Sequence, residues 1–227
     1  GPEVSVLAFC DGKTVKPLVS AMDHKRALDG NKGLNTGGMG TIAPNPYYTQ
    51  SIADRCMNEI FIPTMEAMNK ENRTFKGVIF FGLMITKDGP KVIEYNCRFG
   101  DPETQVVLPL LKSDLLTIFK AVAEQRLSEV GVLLSDKACA CVIMASGGYP
   151  KKYQTGYEIS GLDESKAIVY HAGTKLVDGK IVTSGGRVLG VTAMGDNLDE
   201  ALNKAYQYVE KISFKDAYYR KDIGRAN

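Results

Sequence analysis

The residues best equipped for chemistry stand in one run, Ile93-Glu94-Tyr95-Asn96-Cys97-Arg98-Phe99-Gly100-Asp101-Pro102-Glu103. Val92 to Asn96 reads as a strand, and strand side chains alternate between faces, so Glu94 and Asn96 must point to the same side. A carboxylate and an amide oxygen two positions apart aim two hard oxygen donors at one point. Mg²⁺ in nucleotide enzymes takes one or two such protein oxygens and fills its remaining positions with phosphate oxygens and water. Arg98, two residues beyond Asn96, leaves the same face as the strand ends, and its planar fork suits a phosphate or a carboxylate. Three polar groups converging after an apolar strand are costly unless something binds there. Spacing alone leaves a second reading open, in which Glu94 and Arg98 form an ordinary surface ion pair.

The second candidate is Asp23-His24-Lys25-Arg26 followed by Gly33-Leu34-Asn35-Thr36-Gly37-Gly38-Met39-Gly40. Glycines let backbone N–H groups approach an anion closely, and Lys25 and Arg26 add positive charge just upstream. The run follows neither the Walker pattern nor the dinucleotide GxGxxG spacing, and such loops are more often flexible connections. His24 alone reads as a surface or core histidine rather than a base. Cys139 and Cys141 share one strand face and read as core filler. Tyr218-Tyr219-Arg220-Lys221 reads as a solvated terminus. Lys175 and Arg187, in turn-rich stretches, offer at most a phosphate or nucleotide contact.

These residues need elements to hold them. Val4 to Phe9 is a strand, Asp11-Gly12 a hairpin turn, and Val15 to Ser20 the returning strand, placed at an edge by Pro17. Residues 23–40 hold five glycines and read as a loop, too glycine-rich for a packed strand. Ser51 to about Asn72 is helical, with Pro63 kinking or ending it. Gly77 to Thr86 pairs with Lys91 to Asn96 across Asp88-Gly89, and the apolar first strand expects burial on both faces. Asp101-Pro102 reads as a turn leading into a helix. Ser113 to Leu127 is an amphipathic helix with Ser113 as its cap. Short strands follow at 138–145, 166–171, 175–176, 180–183 and 187–194, then a helix over 197–212 with a capping box at Asn197 and Glu200. The division falls at 1–130 and 131–227.

Composition narrows the function classes. Lys and Arg number 28 against 26 Asp and Glu, a formal charge of +2, so bulk electrostatics argue for neither nucleic acid nor an anionic membrane. Apolar runs such as Val78 to Ile85, eight residues long, fall far short of the ~20 residues that span a bilayer. Five cysteines without a CxxC pair argue against a disulfide framework and for a reduced, cytoplasmic compartment. Two histidines leave no multi-histidine metal site.

The stretches GPEVSVLAF, DHKRALDGNKGLNTGGMG, VIEYNCRFGDPETQ, ASGGYP, HAGTK, GGRVLGVTA and YRKDIG resemble the phosphoribosylamine–glycine ligase (glycinamide ribonucleotide synthetase) family of the ATP-grasp superfamily. The similarity runs in order from residue 1 to about 225, and RFGDPETQ is its most specific part. The resemblance implies an α+β fold: the latter part of an ATP-grasp domain, an antiparallel sheet with helices, over 1–130. A small, mostly antiparallel β domain with one covering helix would follow over 131–227. It implies ATP-dependent ligation of glycine to 5-phosphoribosylamine through glycyl phosphate in purine biosynthesis, with ATP and Mg²⁺ (Mn²⁺ as the alternative).

By resemblance Glu94 and Asn96 are the metal ligands. Arg98 and Lys25 are the catalytic cations and, with Glu3, line the ATP site. Asp23, Asn35, Thr36, Gly37, Gly38 and Asp101 bind glycine or the sugar phosphate. Two departures stand out. The family's N-terminal substrate domain and nucleotide-clamping lobe would precede Gly1, so the expected partner is a missing N-terminal half, and the fragment alone is expected to be inactive. Many ATP-grasp enzymes also carry another acid on the strand before the Glu-x-Asn strand, whereas Val78 to Ile85 has none. The rival readings are another ATP-grasp carboxylate–amine ligase, and a non-catalytic module that binds a sugar phosphate.

Overall fold

The computed structural model describes residues 1–163 and 166–225. The chain opens with β1 (Glu3–Cys10) and turns back as β2 (Val15–Pro17), which lies at a sheet edge as its proline requires. β3 (Met22–Asp23), β4 (Arg26–Leu28), β5 (Lys32–Asn35) and β6 (Gly40–Ala43) follow. This corrects the reading of 23–40 as a loop. Its glycines turn strands rather than dissolve them: Gly30 (φ 68°) and Asn31 (φ 55°) make the β4–β5 turn. At Gly40 (φ 156°) an added Cβ would stand 2.8 Å from the Cys141 carbonyl oxygen, so glycine is what lets β6 lie close to its neighbour.

α1 (Gln50–Cys56), a π-helical turn (Met57–Phe61) and α2 (Ile62–Lys70) follow one another without a break. Ile62 N–H donates to the Met57 carbonyl five residues back, and this local widening accommodates Pro63, which has no N–H to give. β7 (Gly77–Thr86) and β8 (Gly89–Asn96) form the second hairpin, and α3 (Thr104–Val107) and α4 (Leu115–Ala123) come next. Asp114, not Ser113, caps α4 by accepting the Thr117 N–H at 2.7 Å. Ser113 Oγ is engaged elsewhere, donating to the Gly131 carbonyl at 2.9 Å and accepting Leu133 N–H at 2.8 Å. α4 ends before Leu127 because Gln125 turns left-handed (φ 56°) and Arg126 N–H closes back on the Ala121 carbonyl at 2.8 Å.

The remaining elements are β9 (Ala138–Ser146), β10 (Ile168–His171), β11 (Thr174–Val177), β12 (Lys180–Thr183), β13 (Arg187–Gly195), α5 (Leu198–Val209) and β14 (Ala217–Tyr218). Asn197 caps α5 by accepting Glu200 N–H at 2.9 Å, and the Glu200 carboxylate returns to Asp196 N–H at 2.7 Å.

Two compact units result, one from 1–22 with 44–136 and one from 23–43 with the described part of 137–227. The excursion 23–43 groups with the second unit because β6 pairs along β9, Gly40 opposite Val142 and Ala43 opposite Cys139. A cut drawn along the sequence at 130 cannot express that.

In the first unit the antiparallel order is β2-β1-β7-β8. One sheet face, carrying Val4, Val6, Ala8, Phe81 and Leu83, packs on Cys56, Ile60, Phe61 and Met65 of the helical segment. On the other face Phe9 meets the Phe99 and Phe119 rings at 6.4 and 6.1 Å, so β1 and β7 are buried on both sides. In the second unit the order is β10-β13-β9-β6-β3, with β14 also on β9. α5 covers β9 and β13 with Ala201, Leu202, Ala205 and Val209, and both Cys139 and Cys141 are core. The class is α+β, mostly antiparallel. Among the described residues no helix is long and apolar enough to cross a membrane, and the five cysteines are free.

Candidate functional site

The first unit carries the oxygen pair. Across its sheet Ser5, Gly82 and Glu94 form one register row, and Leu7, Phe80 and Asn96 the next. Directly opposed residues share a face, so Glu94 and Asn96 stand on the side away from α1 and α2. Tyr95 takes the helix side, with its ring 5.6 Å from Phe81 and its hydroxyl 3.0 Å from Thr64 Oγ1. The expected common direction is realised: Asn96 Nδ2 donates to Glu94 Oε1 at 3.3 Å. Glu94 is exposed and Asn96 half-buried. A Cβ added at Gly82 would come within 2.8 Å of Glu94 Cγ, so that glycine makes the room in which the glutamate stands. Glu3 begins the same alternating set on β1 as Ser5, which places it on the Glu94 face one row away.

Arg98 is exposed and Nη1 donates to the Phe99 carbonyl at 2.9 Å. Among the described residues no ion pair joins it to Glu94. Asp101 is exposed and accepts Gln105 Nε2 at 2.9 Å. Sequence reasoning passed over Glu103, which is buried at 4% exposure and accepts the Ser5 hydroxyl at 3.1 Å from 98 residues away. The Ser5 hydroxyl ties it to the sheet face that carries Glu94, through a partner no local pattern could name.

No group of three or more His, Cys, Asp or Glu among the described residues could hold a metal ion by itself. Glu94 and Asn96 offer two hard oxygens on one face with space cleared beside them. That donor set fits a Mg²⁺ whose other ligands are phosphate oxygens and water, and does not fit a metal held by protein alone.

The second unit carries the glycine-rich candidates. Lys25 and Asn35 are exposed, Asp23 and Thr36 half-buried, and His24 is buried. The amides that could cradle an anion are engaged internally. Thr36 N–H donates to the Lys25 carbonyl at 2.8 Å, Gly37 N–H to the Tyr149 hydroxyl at 3.1 Å, and Gly38 N–H to Thr36 Oγ1 at 3.0 Å. An anion would reach Gly37 N–H by displacing the tyrosine. Arg187 donates to the Gly37 carbonyl at 2.6 Å, so it braces this loop.

Residues 1–104 match the family described as Phosphoribosylglycinamide synthetase, ATP-grasp (A) domain, and residues 139–226 match its C domain. The chain is 52% identical over 224 residues to the phosphoribosylamine–glycine ligase of Caldanaerobacter subterraneus, a match covering 98% of this chain and 54% of that protein. It is 50% identical over 228 residues to the trifunctional purine biosynthetic protein adenosine-3 of Gallus gallus, covering 99% of this chain and 23% of that one. The crystal structure of phosphoribosylamine–glycine ligase from Thermotoga maritima superposes with a TM-score of 0.89 at 33% identity, over 100% of this chain and 55% of that one. Against the curated ligase the chain therefore spans about half the relative's length, 54%.

Proposed function

The chain belongs to the phosphoribosylglycinamide synthetase family, and from that premise we propose that a protein carrying it joins glycine to 5-phosphoribosylamine at the expense of ATP, giving glycinamide ribonucleotide, ADP and phosphate. A carboxylate is a poor electrophile. Attack of a glycine carboxylate oxygen on the γ-phosphorus, with cleavage of the bond to ADP, gives glycyl phosphate and with it a leaving group. The amine of phosphoribosylamine then attacks the glycyl carbonyl, phosphate departs, and the nitrogen loses a proton. Phosphoryl transfer of this kind needs alignment and charge stabilisation more than covalent help from the protein.

The observation that carries the reading is the paired Glu94 and Asn96 on one sheet face, in the space left by Gly82. Those two residues would hold Mg²⁺, which when bound neutralises phosphate charge. Arg98 would orient the transferred phosphoryl or acyl phosphate, Glu3 would line the nucleotide, and Lys25 would supply a second cation. Asp23, Asn35, Thr36, Gly37, Gly38 and Asp101 would hold glycine or the sugar phosphate. Because the match spans about half of its relatives, the activity is proposed for the longer protein, and the 227 residues alone are proposed to be inactive. The free cysteines support a reducing, cytoplasmic setting.

Phosphate release by the full-length protein, dependent on glycine, phosphoribosylamine, ATP and Mg²⁺, tests the reading. Glu94→Ala is expected to lower the rate by about 100-fold or more without changing thermal unfolding. Wild-type turnover in that variant would overturn the assignment. Equal phosphate release with other carboxylate and amine pairs would point to another ligase of the superfamily.

A further inference from the structure

Tyr218 to Lys221 read as a solvated terminus in the sequence, but the run 219–224 is built into the second unit. Arg220 is fully buried, at 0% exposure. Its Nε and Nη2 donate to the two carboxylate oxygens of Asp222 at 2.8 and 2.9 Å. Nη1 donates to the Arg26 carbonyl and Nη2 to Asn31 Oδ1, both at 3.0 Å. Asp222 also accepts Gly30 N–H at 2.8 Å, and Lys221 N–H donates to Asp29 Oδ1 at 2.8 Å. Gly224 N–H donates to His24 Nε2 at 3.0 Å, which assigns the ring proton to Nδ1, 3.2 Å from the Gly40 carbonyl. Tyr206 fastens the strap in turn, its hydroxyl donating to the Arg220 carbonyl and accepting Ile223 N–H, each at 2.9 Å.

The hairpin that receives these bonds has little else to hold it. β4 buries Ala27 alone and β5 is exposed throughout. Apolar packing therefore cannot set its position, and hydrogen bonds must. A buried guanidinium is costly unless every direction of its fork is used, and this one reaches a carboxylate, a carbonyl and an amide oxygen at once. Lysine could keep the charge but not those directions. Burial by itself would raise the Asp222 carboxyl, but the bonds from Arg220 and Gly30 outweigh it and hold the group below its ordinary value, ionised at neutral pH.

We propose that Arg220 and Asp222 are positioning residues for the substrate loop: by gripping Arg26, Gly30 and Asn31 they hold Lys25 and residues 35–38 in the geometry that receives substrate. This rests on the substrate-loop reading above. Arg26 is paired with Asn35 across the hairpin, so the grip on the Arg26 carbonyl fixes the Arg26–Ala27 peptide, one residue from Lys25, and, through the register, the start of the glycine turn.

The test uses the full-length protein. Arg220→Lys is expected to raise the KM for glycine or for phosphoribosylamine by about tenfold and the KM for ATP, which Lys25 also faces, by less. Asn31→Gly keeps the left-handed backbone, removes one acceptor of the grip, and should raise the same KM by less. Amide exchange over 25–38 should quicken in both variants relative to α5. Unchanged substrate KM values with only a lowered melting temperature would overturn the proposal, and if Arg220→Lys fails to fold, Asn31→Gly decides alone. A wild-type protein without glycine-dependent phosphate release would sink the functional reading instead, and unaltered exchange over 25–38 would then still refute the grip.

Discussion

Gly82→Ala probes the oxygen pair without touching it. The substitution adds a single methyl group in the row between Ser5 and Glu94, 2.8 Å from Glu94 Cγ and 3.4 Å from Phe80 Cε1. The glutamate Cγ must retreat by about 0.6 Å to regain ordinary contact, and the carboxylate beyond it swings by about 1 Å. Because Glu94 is exposed, that movement costs the fold little, and alanine is if anything the better strand residue. A displacement of about 1 Å in a group that positions reacting atoms can cost about 100-fold in rate. Steady-state phosphate release by the full-length protein, with Mg²⁺ titrated, should show a fall of about 10- to 100-fold and a higher half-saturating Mg²⁺. Thermal unfolding run alongside should coincide with wild type. A variant with wild-type rate and wild-type Mg²⁺ requirement would refute the idea that the Glu94 carboxylate works from the place the sheet gives it.

Three further outcomes are expected. Arg98→Lys keeps the charge and loses the planar fork, so turnover should drop by about tenfold with no change in melting temperature; full activity would mean that a point charge suffices there. Asp11→Ala strands the N–H groups of Thr14, Lys13 and Leu127, which the carboxylate accepts at 2.7, 2.9 and 3.0 Å, and should cost about 3 kcal/mol in urea unfolding. Burial by itself would raise the Asp11 carboxyl, but those backbone bonds outweigh it and hold the group below its ordinary range. Its stabilisation is thus complete above the unfolded value of about 4 and is lost as pH falls through the lower folded one. The gap between wild type and variant should therefore narrow in acid, and a gap independent of pH would contradict the linkage. Asn197→Ala removes the acceptor of Glu200 N–H and should destabilise by about 1 kcal/mol in thermal unfolding, with activity unchanged.

Local pattern made most of the elements legible. The edge placement of Pro17, the burial of Ile79 to Leu83 within the apolar strand and the Asn197 cap each follow from chemistry within a few residues. Glu94 and Asn96 were legible for the same reason, since period-two alternation dictates a shared face whatever surrounds the strand. What was misread depended on distant partners. Ser113 looked like a cap until residues 131 and 133 claimed its hydroxyl, and 23–40 looked like a loop because nothing local announces β9 as the strand that would bury β6.

The sequence by itself therefore determined the hairpins and the direction of the oxygen pair, since these arise from dihedral preference and from alternation along one strand, and gave the α+β class through its family resemblance. The tertiary structure alone decided that Glu103 joins Ser5, that Gly82 clears space for Glu94, and that a buried Arg220 grips the glycine hairpin. These bring together groups separated by anything from about a dozen to nearly two hundred residues, and such contact is set by how strands, sheets and helices pack, a property no run of neighbouring residues carries.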